Sequence, residues 1–348
     1  MHTDTGRVSP HRRILVVRTD RLGDVILTLP MLPLLREWFP GAFLAMLLNR
    51  YTGEIVRGNP SLDTIIWDDI AGRPAPAGTL LRTIRLLHFD TVFLVHPTPR
   101  LAWLAVRAGI RERVGTGYRA YSFLFNRRVY EHRKDAVYHE LEYNLHMLRA
   151  VRPGFTGEGI VPRFDIRIDP AARGEVRRRL GEAGKGKLLI VLHPGSGGSA
   201  HDWPAEHFIQ LALRIGKEGR FRLAVTGNAA EVDLVRLVGE AGNTPHRFAG
   251  ALTLSELAAL YADSRVVVGN STGPLHLAAA LGTRVIGLYS QITAMSPARW
   301  GPYTALKRVF VPSQSPECKD CLPGRLCACM ASIPVDGVWQ ALKEMADD

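Results

Sequence analysis

Between Gly269 and Thr283 the chain reads Gly-Asn-Ser-Thr-Gly-Pro-Leu-His-Leu-Ala-Ala-Ala-Leu-Gly-Thr, flanked by β-branched runs at 265–268 and 284–288. That order predicts strand, small-polar turn, helix and strand. Gly273 lets a ligand approach the backbone and Pro274 suits the first helical turn. The unpaired N–H groups at the helix start carry partial positive charge that favours an anion. Such a turn holds a diphosphate without a basic side chain; the competing reading is an ordinary strand-to-helix turn. A second chemistry is suggested by Cys318, Cys321, Cys327 and Cys329, spaced C-x2-C-x5-C-x-C. Four thiolates so close together can form a tetrahedral zinc or iron site of the structural kind.

The elements that must position these residues repeat one pattern. In the first half, strands are predicted at 14–18, 43–48, 64–67 and 91–95. Helices are predicted from Asp24 to about 38, at 79–87, at 100–108 and at 137–150. Prolines and glycines over 152–170 break the periodicity and mark a linker, giving domains 1–165 and 166–348. The second half restarts with a strand at 187–192 opening into His193-Pro194-Gly195-Ser196-Gly197-Gly198-Ser199. Strands at 221–226, 266–268 and 285–288 alternate with helices at 204–216, 230–242, 254–262 and 274–281, and a final helix is expected over 335–345. This is α/β with two doubly wound Rossmann-like domains, whose ligands bind beyond the carboxyl ends of the strands.

A chain of 348 residues is long enough for two domains of roughly 150 residues each. With 46% hydrophobic and 22% charged residues it has an ordinary globular composition. The polar, basic stretch 1–13 before a short apolar run argues against a secretory signal, so the expected location is the cytoplasm. The net charge of +11 reflects either an arginine-rich composition or an anionic partner. With no nucleic-acid module visible, the expected anionic partner is the membrane surface. Clusters at Arg127, Arg128, His132, Arg133 and Lys134 and at Arg177, Arg178 and Arg179 also suit plain solvated faces.

Four blocks, in order, carry a resemblance: 14–30 (ILVVRTDRLGDVILTLP), 193–208 (HPGSGGSAHDWPAEHF), 227–231 and 250–303. On these blocks the chain resembles glycosyltransferase family 9, the bacterial ADP-heptose:lipopolysaccharide heptosyltransferases. The resemblance implies GT-B architecture, with two Rossmann-like domains facing a cleft, and inverting transfer that needs no metal or other cofactor. ADP-heptose is then the donor and an anionic, lipid-linked core oligosaccharide the acceptor, met at the inner face of the inner membrane, with no role for nucleic acid. Cysteine-rich stretches recur at this place in the family, so the cluster is also compatible with inheritance without metal.

The resemblance further implies residue roles. Asp24, in the Gly23-Asp24 pair, matches the catalytic base; capping the following helix is the alternative. The basic residue expected two positions before Trp203 is His201, which carries charge only when protonated. Ser196, Gly197, Gly198 and Ser199 offer backbone and hydroxyl donors in its place. Where the family most often has Asp, this chain has Ser271, followed by Thr272, Gly273 and Pro274 as the diphosphate loop. His276 either reaches the phosphate or fills the helix–sheet interface. Glu231 matches the ribose-binding acid, or is a helix-start carboxylate. Arg18, Arg21, His96, Arg100, Arg119 and His139 are the acceptor-binding expectations.

The reading is therefore a heptosyltransferase of lipopolysaccharide core assembly. Two alternatives keep the fold: a relative with a protein acceptor or another nucleotide sugar, and a non-catalytic nucleotide-sugar-binding protein. A nicotinamide-dependent oxidoreductase is disfavoured by the missing G-x-G-x-x-G after the first strand.

Overall fold

The computed structural model describes residues 12–182, 184–313 and 329–348. They fall into two compact units, Met1–Glu131 with Leu141–Asp165, and His132–Glu140 with Ile166–Asp348. The passage of His132–Glu140 into the second unit was not part of the sequence reading.

In the first unit, β1 (Arg13–Val17), β2 (Phe43–Leu48) and β3 (Thr64–Trp67) are followed by a small antiparallel ribbon of β4 (Asp69–Ile70) and β5 (Arg73–Pro74). Three more strands follow: β6 (Thr91–Leu94), β7 (Glu112–Thr116) and β8 (Arg127–Val129). The main sheet is parallel, in the order β3-β2-β1-β6-β7-β8. Continuous apolar strands such as Phe43–Leu48 suit a sheet covered on both faces. Leu15, Val17, Leu47 and Leu94 pack against Leu80, Ile84, Leu101 and Leu104 of the helices. The helix expected from Asp24 to 38 is two helices, Leu22–Ile26 and Met31–Trp38. Pro30 has no N–H for a continuous ladder, so the chain turns there and restarts. The expected helix at 137–150 is likewise shorter, Glu140–His146 with a tighter turn at Met147–Ala150.

In the second unit the strands are β9 (Leu188–His193), β10 (Phe221–Gly227), β11 (Arg247–Ala249), β12 (Val266–Asn270), β13 (Arg284–Leu288) and β14 (Lys307–Phe310). They form a second parallel sheet in the order β11-β10-β9-β12-β13-β14. Each sheet begins in its middle and reverses direction there, at β1/β6 and at β9/β12, so the loops after those strands flank a switch point. The final helix, Val335–Asp347, buries Val338, Leu342 and Met345 in the core beside helix Ala205–Lys217. Trp203 anchors this corner by donating its indole N–H to the Ile333 carbonyl at 3.0 Å.

Candidate active site

In the first unit, Arg18 directly follows β1 and is 3% exposed. Its Nε donates to Asp20 Oδ1 at 2.7 Å, and Nη2 donates to Asp24 Oδ1. Nη1 lies 3.5 Å from Asn144 Oδ1. Asn144 reaches back through its amide to Leu27 O at 3.0 Å and Thr28 Oγ1 at 3.3 Å, while the Thr28 hydroxyl donates to Asp24 O at 2.8 Å. His96 Nδ1, beyond β6, sits 3.1 Å from Asp20 Oδ2. The fold therefore gathers two carboxylates, a guanidinium and an imidazole at the β1/β6 switch point. A buried arginine with two acidic partners holds those partners in place, so Arg18 serves the carboxylates rather than standing open to an acceptor. Asp24 lies in the first turn of Leu22–Ile26, whose N-cap is Arg21 and has no side-chain capping bond.

The remaining acceptor expectations are dispersed. Arg21 and Arg119 are exposed. Arg100 is held by Asp68 Oδ1 and Ala75 O, both at 2.6 Å. Burial raises the Asp68 carboxyl, with the Arg100 hydrogen bond opposing. His139 belongs to the second unit, buried, with Nε2 2.8 Å from Gly301 O and its ring against Tyr303.

In the second unit three strand ends converge. After β9, Gly197 and Gly198 take φ of +57° and +75°, turning the loop in a way side chains rarely permit. The Ser199 amide and hydroxyl both donate to Ser196 O, at 3.1 and 2.7 Å. Glu231, after β10, accepts from Gly197 N through Oε1 and from Asn228 N through Oε2, each at 2.8 Å. The second bond completes a capping box with Asn228. Glu231 is thus both the helix-start carboxylate of the alternative reading and a tie between two loops. At the end of β12, buried Asn270 accepts from Trp203 N at 3.0 Å and donates to Pro194 O at 2.7 Å. Helix Gly273–Ala280 follows, with Thr272 as its N-cap, Pro274 in its first turn and no side-chain capping bond.

Among the described residues, the buried polar atoms without a partner include, in these segments, both ring nitrogens of His201, Asp202 Oδ1, Thr272 Oγ1 and His276 Nδ1, and elsewhere Glu131 Oε2, Arg173 Nε and His207 Nδ1. Buried polar atoms normally find partners, so the group in these segments marks a place completed by a ligand or by water. His201 is 1% exposed and burial lowers its pKa, so it stands neutral and supplies no charged clamp. His276 is also interior, pushed down to about 3 by burial and by His139. Ser271 hydrogen-bonds Tyr289, whose phenol burial raises. The sequence reading missed Asp202, whose carboxyl burial pushes up to about 6 despite a hydrogen bond with Ser196. An Asp next to a turn and a Trp gives no sequence signal that it will be buried.

Cys318, Cys321 and Cys327 lie outside the described residues, and Cys329 is half-buried. Among the described residues no group of three or more His, Cys, Asp or Glu is arranged to hold a metal. None of their helices is long and apolar enough to cross a membrane.

The family model for glycosyltransferase family 9 (heptosyltransferase) matches residues 78–323. Lipopolysaccharide heptosyltransferase 3 of Escherichia coli is 24% identical over 81% of this chain and 84% of its own length. The family 9 glycosyltransferase of Veillonella parvula superposes with a TM-score of 0.81 at 24% identity, covering 96% of this chain and 97% of that one. The E. coli ADP-heptose lipopolysaccharide heptosyltransferase II gives 0.76 at 20% identity, covering 96% and 98%. These likenesses make the fold GT-B-like. Since the family match runs through both units and across the loops after β9, β10 and β12, this chain belongs to glycosyltransferase family 9, the heptosyltransferases.

Proposed function

We propose that the protein transfers a heptose from ADP-heptose to the lipopolysaccharide inner core, with inversion, at the cytoplasmic face of the inner membrane. The observation that carries this reading is the meeting of three strand-end loops in the second unit, where the start of helix Gly273–Ala280 and Gly198 of the glycine turn offer N–H groups and Thr272 Oγ1 is buried without a partner. This is the chemistry a diphosphate requires. The E. coli relative named for ADP-heptose and lipopolysaccharide supports the donor and acceptor.

In the proposed reaction an acceptor hydroxyl attacks the anomeric carbon opposite the diphosphate. The new C–O bond forms as the C–O bond to phosphate breaks, and the hydroxyl proton passes to Asp24. Arg18, which donates to Asp24 Oδ1, fixes where that carboxylate points. The departing ADP takes the bonding electrons, and backbone N–H groups receive its charge. With His201 neutral and interior, this falls to the N–H groups of Gly198, Thr272 and Gly273 and to the Thr272 hydroxyl.

The test is transfer from ADP-heptose, beside UDP- and GDP-sugars, onto Kdo-lipid A and heptosylated core acceptors, with released nucleotide quantified. ADP release that requires one core acceptor supports the reading. Turnover only with another nucleotide sugar or a protein acceptor, or ADP-heptose binding without turnover on any acceptor, overturns it.

A further inference from the structure

The chain's positive charge is not spread evenly. Residues 73–128 contain ten arginines and two carboxylates, Asp90 and Glu112, a net of +8 within a chain of +11. Both carboxylates are engaged: Asp90 accepts from Arg13 N at 2.7 Å, and Glu112 pairs with Arg12 at 3.4 Å and Arg127 at 3.7 Å. Elsewhere the arginine run at 177–179 is neutralised by Glu175, Asp263 and Glu256.

The same stretch exposes large apolar side chains. Leu86 ends helix Ala77–Leu86 at 76% exposure, Trp103 and Val106 lie outward on helix Pro99–Arg107, and Phe123 is 72% exposed on the turn Ser122–Leu124. These elements are neighbours, because helix Pro99–Arg107 packs against both others. Arg85 Nη2 donates to Arg107 O at 2.7 Å, and the Arg107 guanidinium lies 4.7 Å over the Trp103 ring. Arg82, Arg85 and Arg107 therefore share one face of the first unit with these apolar side chains.

We propose that this face docks on an anionic lipid bilayer, with Leu86, Trp103, Val106 and Phe123 entering the headgroup boundary while Arg82, Arg107 and their neighbours meet lipid phosphates. Two forces are combined here, burial of apolar surface and attraction to negative headgroups; either alone binds a membrane weakly. Trp suits this boundary, with an apolar body and one N–H. Leu86 and Val106 favour lipid over nucleic acid, where aromatic groups stack on bases but aliphatic ones gain little. The use of the contact, though not the contact itself, rests on the reading of a lipid-borne acceptor.

The experiment is co-sedimentation of the full chain with phosphatidylcholine vesicles, with and without phosphatidylglycerol, at two salt concentrations. Binding should require phosphatidylglycerol and weaken with salt. It should fall by about tenfold or more in Trp103→Ser/Phe123→Ser and in Arg82→Glu/Arg107→Glu. Circular dichroism checks that the variants fold. Transfer to a water-soluble, delipidated acceptor should match wild type, so loss of docking is separated from loss of catalysis. Failure to bind either vesicle, equal binding to both, unchanged binding by the variants, or binding of single-stranded RNA but not vesicles would each overturn the proposal.

Discussion

Glu231 and Gly195 compete for one volume: a Cβ on Gly195 would lie 2.1 Å from both Cδ and Oε1 of Glu231. The glycine therefore lets the carboxylate lie across the loop after β9 and accept from Gly197 N while also accepting from Asn228 N. Gly195→Ala should evict Glu231 and break both bonds. The expected loss is about 0.5–1.5 kcal/mol of stability, because both bonds are solvent-exposed, read by denaturant unfolding. Donor KM should rise more than kcat falls, because the loop loses its shape rather than its chemistry. Unchanged KM would detach this tie from donor binding.

The carboxylate held by Arg18 carries the proposed proton transfer. Asp24→Asn keeps the size of the side chain and removes its basicity, so transfer should fall by about a hundredfold or more. ADP-heptose affinity, measured by calorimetry, should stay near wild type. Near-normal turnover would remove Asp24 from the base position.

Asp202 makes a pH prediction with a definite sign. Its folded carboxyl is pushed up from 3.8 to about 6, first by burial and then by Glu231. The folded state therefore holds this proton where the unfolded chain has released it. The contribution is present at low pH and is lost as pH rises from about 4 to about 6. Asp202→Asn should remove that loss and gain roughly 2–3 kcal/mol over wild type near pH 7. His193 and His276, held down to about 4 and about 3 chiefly by burial, act oppositely and cost stability as pH falls below about 6.5. Both proteins share those histidines, so the difference between their unfolding curves across pH isolates Asp202. A flat difference would show that the buried carboxyl titrates normally.

The four cysteines give a metal prediction that is independent of the transfer site. Purified protein should carry about one zinc or iron per chain, measured by elemental analysis. Chelation, or Cys321→Ser, should release it and lower the melting temperature while leaving the pH dependence of transfer unchanged. Metal-free protein with unaltered melting would mean that the thiols are held without an ion.

Local pattern alone determined the alternation of apolar strands and periodic helices, the glycine turns and the loops at the strand ends. These depend on neighbours within a few residues: the apolar run at 188–193, the Gly197–Gly198 turn, and Pro274 at a helix start. Pro30 was equally local, yet its break in the first helix was outweighed in the reading by the periodicity around it. The pairing of Arg18 with Asn144, 126 residues away, was decided only by tertiary structure. So were the burial of His201, the enclosure of Asp202 Oδ1 and the membership of His139 in the second unit. Burial and ion pairing depend on which distant segments a side chain meets. Desolvation then sets its charge, lowering the pKa of His201, whose charge the sequence left open, and turning Asp202 from an unremarked acid into a carboxyl pushed up to about 6.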